Sequence, residues 1–159
     1  MNRSRFYLVA LCVTVLSASP AIAQPTNIIF CIGDGMGPAQ VEAARLFAGA
    51  DMSFEGLYYQ GAVTTYAANS SVTDSAAAAT ALATGVKVNN GVISMAYPGD
   101  GSELPTLLEY FQAAGKSTGL VTTTYMTHAT PAGFGAHESS RNNNSQIATD
   151  YLTQTQPNV

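Results

Sequence analysis

Asn27-Ile28-Ile29-Phe30-Cys31-Ile32-Gly33-Asp34-Gly35-Met36-Gly37-Pro38 is the stretch from which the fold is read. Asn27 to Ile32 is a short, continuously apolar run, the pattern of a strand buried on both faces of a parallel sheet. Gly33, Gly35 and Gly37 then let the backbone bend tightly. Pro38 opens a helix expected to run through about Phe47, with Val41, Ala44, Leu46 and Phe47 on its apolar side. Proline suits a first helical turn because the N–H it lacks would be unpaired there. In open α/β sheets ligands gather beyond the carboxyl ends of strands, and Asp34 lies two residues past such an end.

Outward from this unit the same alternation continues. Gly61 to Tyr66 is rich in β-branched residues and is expected to be a second strand. Ser75 to Ala83 is a helix by propensity, stopped by Thr84-Gly85. Asn90-Gly91 marks a tight turn. Leu104 to Ala114 reads as an amphipathic helix, with Pro105 in its first turn and Gly115 past its end. Gly119 to Thr124 is expected to be a third strand, and a final helix starts near Gln146 and reaches Leu152. Strands alternating with helices predict an α/β sandwich with a mostly parallel sheet. No internal repeat is present.

Three clusters carry chemistry. Asp34 offers two carboxylate oxygens among glycines that keep its surroundings open, and a carboxylate so placed can bridge two cations ~3.5–4 Å apart in a two-metal hydrolase. A plain Asp-Gly turn is the structural alternative. A dinucleotide loop fits poorly: the third glycine of G-x-G-x-x-G is missing, and a carboxylate would repel a pyrophosphate. Ser75 follows Asp74 and precedes four alanines. At a helix N-terminus, free backbone N–H groups favour negative charge, which assists an alkoxide and holds the oxygens of an attached anion. The structural alternative is an ordinary N-cap at Thr73 or Ser75. A serine-hydrolase elbow G-x-S-x-G is absent, and Ala78 stands where S-x-x-K would need lysine.

The third cluster is His128-Ala129-Thr130-Pro131-Ala132-Gly133-Phe134, with His137 and Arg141 beyond it. Thr130 offers a hydroxyl to a hard cation such as Mg²⁺. His128 suits either a metal or a metal-bound water, and loop hydrogen bonds are the plainer role for both histidines. The planar guanidinium of Arg141 can grip two phosphate oxygens at once. Together the clusters point to metal-assisted hydrolysis of an ester, with a phosphate ester favoured.

Composition narrows the setting. Arg3 and Arg5, the apolar run Phe6 to Leu16 and Ala21-Ile22-Ala23 form an export signal over residues 1–23, so the mature chain is expected to start at Gln24. The apolar run is shorter than the roughly 20 residues of a membrane span. This predicts an exported protein, periplasmic or extracellular, without a membrane span. The mature chain keeps Arg45, Lys87, Lys116 and Arg141 against ten acidic residues, which argues against nucleic-acid binding. Cys12 leaves with the signal. Cys31 is then alone, which excludes an internal disulfide and a cysteine-built zinc site, and it is expected to be a buried small hydrophobe. Only 10% of residues are charged, a lean surface that fits a piece whose faces are covered by more chain.

The stretches Asn27 to Gly37, Val72 to Ala81 with Thr84-Gly85-Val86-Lys87, and His128 to Ala132 through Ser140-Arg141 resemble the alkaline phosphatase family in order and spacing. The resemblance extends from Asn27 to Val159. It implies an alkaline-phosphatase-like sandwich, its mostly parallel central sheet flanked by helices, of which residues 24–159 are the N-terminal portion. It implies phosphate monoester hydrolysis through a phosphoserine at a two-zinc plus magnesium site. In that scheme Ser75 is the nucleophile and touches the second zinc. Asp34 bridges that zinc and the magnesium, Thr130 binds magnesium, Asp74 orients Arg141, and Arg141 binds the phosphate oxygens. At the position of His128 some members carry aspartate and others histidine, and this residue tunes the magnesium site. Phosphate monoesters and inorganic phosphate are the implied ligands, and a homodimer the implied assembly of the full-length protein. The family's remaining magnesium glutamate and its zinc-binding aspartates and histidines lie further along than this sequence reaches. The chain is therefore expected to be an N-terminal fragment, inactive and poorly folded alone. The alternatives are a non-catalytic fragment or weak phosphate binder, and a phosphodiesterase or sulfatase of the same superfamily.

Overall fold

The computed structural model describes residues 26–159; the expected export signal lies outside them. The chain divides into two units, Met1–Ile32 and Gly33–Val159. In the described part of the first, residues 26–32, no regular element forms. Ile29 is 90% exposed, and Cys31 is exposed rather than buried as expected. A two-faced buried strand exists only where neighbours cover it, and residues 26–32 have no strand pairing.

The second unit is helical. α1 spans Pro38–Ala48, α2 Ser75–Thr84, α3 Leu107–Ala113, α4 Ala129–Gly135 and α5 Asn144–Thr153, with one 3₁₀ turn at Ser53–Gly56. Proline stands at the start of α1 as expected, and α2 stops at Gly85. The third helix starts later than expected. Thr106 caps it, with the Glu109 side chain reaching back to the Thr106 N–H, so Pro105 precedes the cap instead of sitting in the first turn. That reciprocal pair satisfies two first-turn donors at once and fixes where the helix begins. α4 falls where the sequence suggested only a loop, its Pro131 within the first turn.

Among the described residues no sheet forms. Two isolated antiparallel bridges occur, Ile93 with Glu138 and Met95 with Glu103. The stretches at 61–66 and 119–124 carry no strand, and Val63 and Val121 stand exposed. Instead, the Thr118 carbonyl accepts from the Asn158 N–H at 2.8 Å, and the Leu120 N–H donates to the Val159 carbonyl at 2.8 Å.

The core is built on α2 and α4. Ala76, Ile93, Ala129, Ala132, Ala136 and Ile147 form one buried cluster, with Tyr151 packed on it. Ala67, Ala77, Val88 and Val92 form a second, against Met95 and Leu104. The approach of the two helices is set by small residues: a Cβ placed on Gly133 would lie 2.8 Å from the Cβ of Ala79. Buried polar links tie residues 92–94 to both helices. The Ser94 hydroxyl donates to the Gly133 carbonyl at 2.6 Å, and the Thr80 hydroxyl to the Val92 carbonyl at 3.2 Å.

Candidate active site

The first turn of α2 anchors the site. Asp74 is its N-cap: Oδ1 accepts the Ala77 N–H at 2.9 Å, and the Asp74 carbonyl accepts the Ala78 N–H at 3.1 Å. The N–H groups of Ser75 and Ala76 are thus the first-turn donors that the cap does not use. Aspartate is a strong N-cap because its short carboxylate reaches back to these groups. The capping role that the sequence allotted to Thr73 or Ser75 falls to Asp74, which frees the Ser75 side chain. Its hydroxyl points elsewhere and donates to Asp34 Oδ1 at 3.0 Å.

Asp34 joins the three sequence clusters directly. Its other oxygen, Oδ2, accepts the Thr130 hydroxyl at 2.8 Å. The bond from Thr130 is the chief influence holding the Asp34 carboxyl below the ordinary aspartate value. Partial burial pushes the other way, while the Ser75 hydroxyl, His128 and Arg141 add to the lowering. Asp34 therefore stays a carboxylate at neutral pH, suited to holding a cation and poorly suited to taking a proton from Ser75.

Asp74 Oδ2 carries the link to the arginine. It accepts Arg141 Nη1 at 3.1 Å and the Gly91 N–H at 2.9 Å. The second Arg141 nitrogen, Nη2, lies 3.4 Å from His128 Nε2. His128 caps α4 as well, with Nδ1 facing the Thr130 N–H at a long 3.5 Å. Both ring nitrogens face donors, and since a neutral imidazole accepts on one nitrogen only, one of these two contacts at a time is a hydrogen bond; the ring stacks edge-on against Tyr125 at 5.3 Å. The His128 ring faces Arg141, and it lies near enough to Asp34 to favour its charged form. His137 lies apart from the site and is buried. Its Nδ1 faces the Ser94 carbonyl at 2.9 Å and its Nε2 faces Glu109 Oε1 at 3.2 Å.

Sequence reasoning missed the Asn90-Gly91 turn as a part of this centre. The Asn90 side chain accepts the Asp74 N–H on Oδ1 and donates from Nδ2 to the Val72 carbonyl, each at 2.9 Å. The signal was present in Asn90-Gly91, but a turn motif does not disclose which segment its side chain will grip.

The donor set fits a hard cation better than zinc. Asp34 and Thr130 supply converging oxygens of the type Mg²⁺ takes beside its waters. Hydrolytic zinc needs about three protein ligands with an open position. Among the described residues no three His, Cys, Asp or Glu side chains gather in that way, so Asp34 and Ser75 alone do not fit a zinc centre.

A serine at a helix start, a carboxylate that accepts two hydroxyl groups and an aspartate-held guanidinium thus meet in one place. The comparisons give the family. The sequence matches the alkaline phosphatase family profile over residues 25–158, and the chain belongs to that family. It is 44% identical over 134 residues to alkaline phosphatase 3 of Bacillus subtilis (strain 168), covering 79% of this chain and 29% of that one. It is 45% identical over 136 residues to the alkaline phosphatase of Escherichia coli (strain K12), covering 79% and 28%. Streptomycin-6-phosphate phosphatase of Streptomyces griseus is 42% identical over 132 residues, covering 78% and 29%. The chain thus spans less than a third of the length of these relatives. Among solved structures, the cold-active alkaline phosphatase of the psychrophile Shewanella sp. superposes with a TM-score of 0.68 at 40% identity, covering 79% of this chain and 33% of that one. A histidine-to-aspartate variant of the alkaline phosphatase from the Antarctic bacterium TAB5, with Mg bound in its M3 site, gives 0.69 at 32% identity, covering 74% and 33%. The alkaline-phosphatase-like fold expected from the sequence is supported by these structures, while its parallel sheet has no counterpart among the described residues.

Proposed function

We propose that the chain carries the nucleophile and phosphate-gripping half of a phosphate monoester hydrolase. The observation behind this reading is a single convergence. The Ser75 and Thr130 hydroxyls meet on the two oxygens of Asp34, and the residue before Ser75 holds Arg141. The phosphate oxygens would lie against Arg141 and the first-turn N–H groups of α2, both suited to an anion. Ser75 Oγ attacks phosphorus as the ester oxygen–phosphorus bond breaks. The alcohol leaves with a proton, and a phosphoserine remains on residue 75. Water then cleaves the phosphorus–Oγ bond, releasing inorganic phosphate and restoring the serine.

Asp34 and Thr130 would hold magnesium. A divalent cation bound there supplies positive charge beside the serine hydroxyl and so eases loss of its proton. Zinc, implied by the resemblance, would need ligands beyond Asp34 and Ser75, and residues 24–159 alone are proposed to be inactive. Export with loss of residues 1–23 and a homodimeric full-length protein complete the reading, and both rest on the sequence and the resemblance.

The test is to express the gene to its natural stop, assay a chromogenic phosphate monoester at alkaline pH, and trap phosphate on the protein at acid pH. Turnover that disappears in Ser75→Ala, with label recovered on residue 75 of the parent, is the expected result. Parent-level turnover in Ser75→Ala would sink the assignment.

A further inference from the structure

One short turn holds the Arg141 backbone and grips the aspartate that holds its guanidinium. The Gly91 carbonyl accepts the Arg141 backbone N–H at 2.7 Å, and the Gly91 N–H donates to the same Asp74 oxygen that binds the guanidinium. Gly91 has φ of 86°, a left-handed conformation that a side chain would strain. Asn90, beside it, grips the segment leading into α2 from both edges, at the Asp74 N–H and the Val72 carbonyl. Its own N–H donates to Asn69 Oδ1 at 2.9 Å. The following residues fasten the turn to the frame: the Ser94 N–H donates to the Thr80 hydroxyl at 2.9 Å, and Ile93 pairs with Glu138.

The Asp74 carboxylate is consequently aimed by two backbone donors, Ala77 and Gly91, before Arg141 reaches it. Asp74 places the arginine, and the turn places Asp74. We infer that Asn90 is a positioning residue: through Asp74 and Gly91 it sets the distance and angle between the Ser75 hydroxyl and the Arg141 guanidinium, so that one phosphate group can meet both. This rests on the phosphomonoesterase reading above. Without the Asn90 side chain, the Asp74 N–H and the Val72 carbonyl lose their partner, and the turn is no longer tied to the segment that carries the nucleophile. Arg141 would keep its charge but lose its registration against Ser75. Substrate and product binding would then suffer more than protein stability does.

The experiment uses the protein expressed from its gene to the natural stop and purified with its metals. Asn90→Ala is expected to raise KM, and the inhibition constant of inorganic phosphate, about fivefold or more, the scale of losing one or two hydrogen bonds. kcat should fall less. Arg141→Lys should weaken phosphate binding by a smaller factor in the Asn90→Ala background than in the parent, because the arginine has already lost its registration. Should Asn90→Ala not fold, Asn90→Ser, which keeps a shorter acceptor, is measured in the same way. A crystal structure of the folded variant is the second readout, with the Arg141–Asp74 contact expected to be broken or split between conformers. A lowered melting temperature with unchanged KM, unchanged phosphate inhibition and an intact Arg141–Asp74 contact would overturn the inference. A parent protein with no monoesterase activity would refute the functional reading instead, and the crystallographic contact would still decide the role of Asn90.

Discussion

At the scale of single residues, the division of labour between the two aspartates follows from their donors. Asp34 accepts two hydroxyl groups, each able to turn toward a cation and leave its carboxylate free to bind one. Asp74 accepts two fixed backbone N–H groups and a guanidinium, so its charge is spent on geometry. Arg141→Lys tests the second arrangement. A lysine is a point charge and cannot keep one face on Asp74 while presenting another to an anion. Phosphate affinity is expected to fall by ~1–3 kcal/mol, the scale of a charge-assisted hydrogen bond. Metal content should be unchanged; equal phosphate inhibition of parent and variant would remove Arg141 from the binding site. Asp34, Ser75 and Arg141 stood out in the sequence as a carboxylate among glycines, a serine at a helix start and a rare arginine, Thr130 only as a hydroxyl suited to a hard cation, and the pairing of Asp74 with Arg141 came from the resemblance alone. The contact between His128 and Arg141 was not legible, since it depends on a side-chain direction that only packing decides.

At the scale of elements, the contact between α2 and α4 is fixed by what is missing from it. The Cβ that Gly133 lacks would lie 2.8 Å from the Ala79 Cβ and 3.0 Å from its carbonyl carbon. Gly133→Ala is therefore expected to destabilise the fold by ~1–3 kcal/mol, as overpacking of a tight core does. Adding Ala79→Gly should recover part of the loss, because it removes the nearer of the clashing atoms. Urea unfolding of parent, single and double variants measures both effects, and purely additive losses would show that the two helices do not meet there. Helices were legible wherever local signals agreed, as at Pro38 or Gly85. α4 was overlooked because its seven residues hold two glycines and a proline, a poor helix by propensity that tertiary contact with α2 overrides. The expected strands have no counterpart among the described residues, because a β-rich stretch has no hydrogen bonds of its own to make, and what it becomes depends on neighbours elsewhere.

At the scale of the whole molecule, one half-buried pair ties α3 to the segment between α4 and α5. His137, with its side chain only 1% exposed, meets Glu109 at 3.2 Å, while its backbone N–H donates to Asp150 at 3.0 Å. Burial pushes the Glu109 carboxyl up, but the Thr106 N–H and hydroxyl together with His137 outweigh it and leave it below the ordinary glutamate value of 4.5. A depressed folded-state value means that the stabilisation is present above pH 4.5 and lost as pH falls through the folded-state value. Glu109→Gln is expected to flatten that acid limb of the stability curve while leaving its neutral plateau lower. Thermal melts of both proteins from neutral pH down to below pH 4 check it, and parallel acid limbs would show that Glu109 does not carry the linkage.

The bonds to Asp34 have a mechanical side. α1 packs against no other helix among the described residues and buries none of its own, and its Phe47 is 96% exposed. On its surface Arg45 pairs with Glu42 at 2.7 Å and with Glu55 of the following 3₁₀ turn at 3.3 Å. Asp34 stands four residues before α1, moored to hydroxyls that lie 41 and 96 positions away along the chain. The centre proposed to hold a cation is thus also the clasp of a long, lightly anchored arm. Whatever draws the Ser75 and Thr130 hydroxyls off the carboxylate must take over that mooring, so the openness of the arm to proteolytic nicking becomes a gauge of what the centre holds.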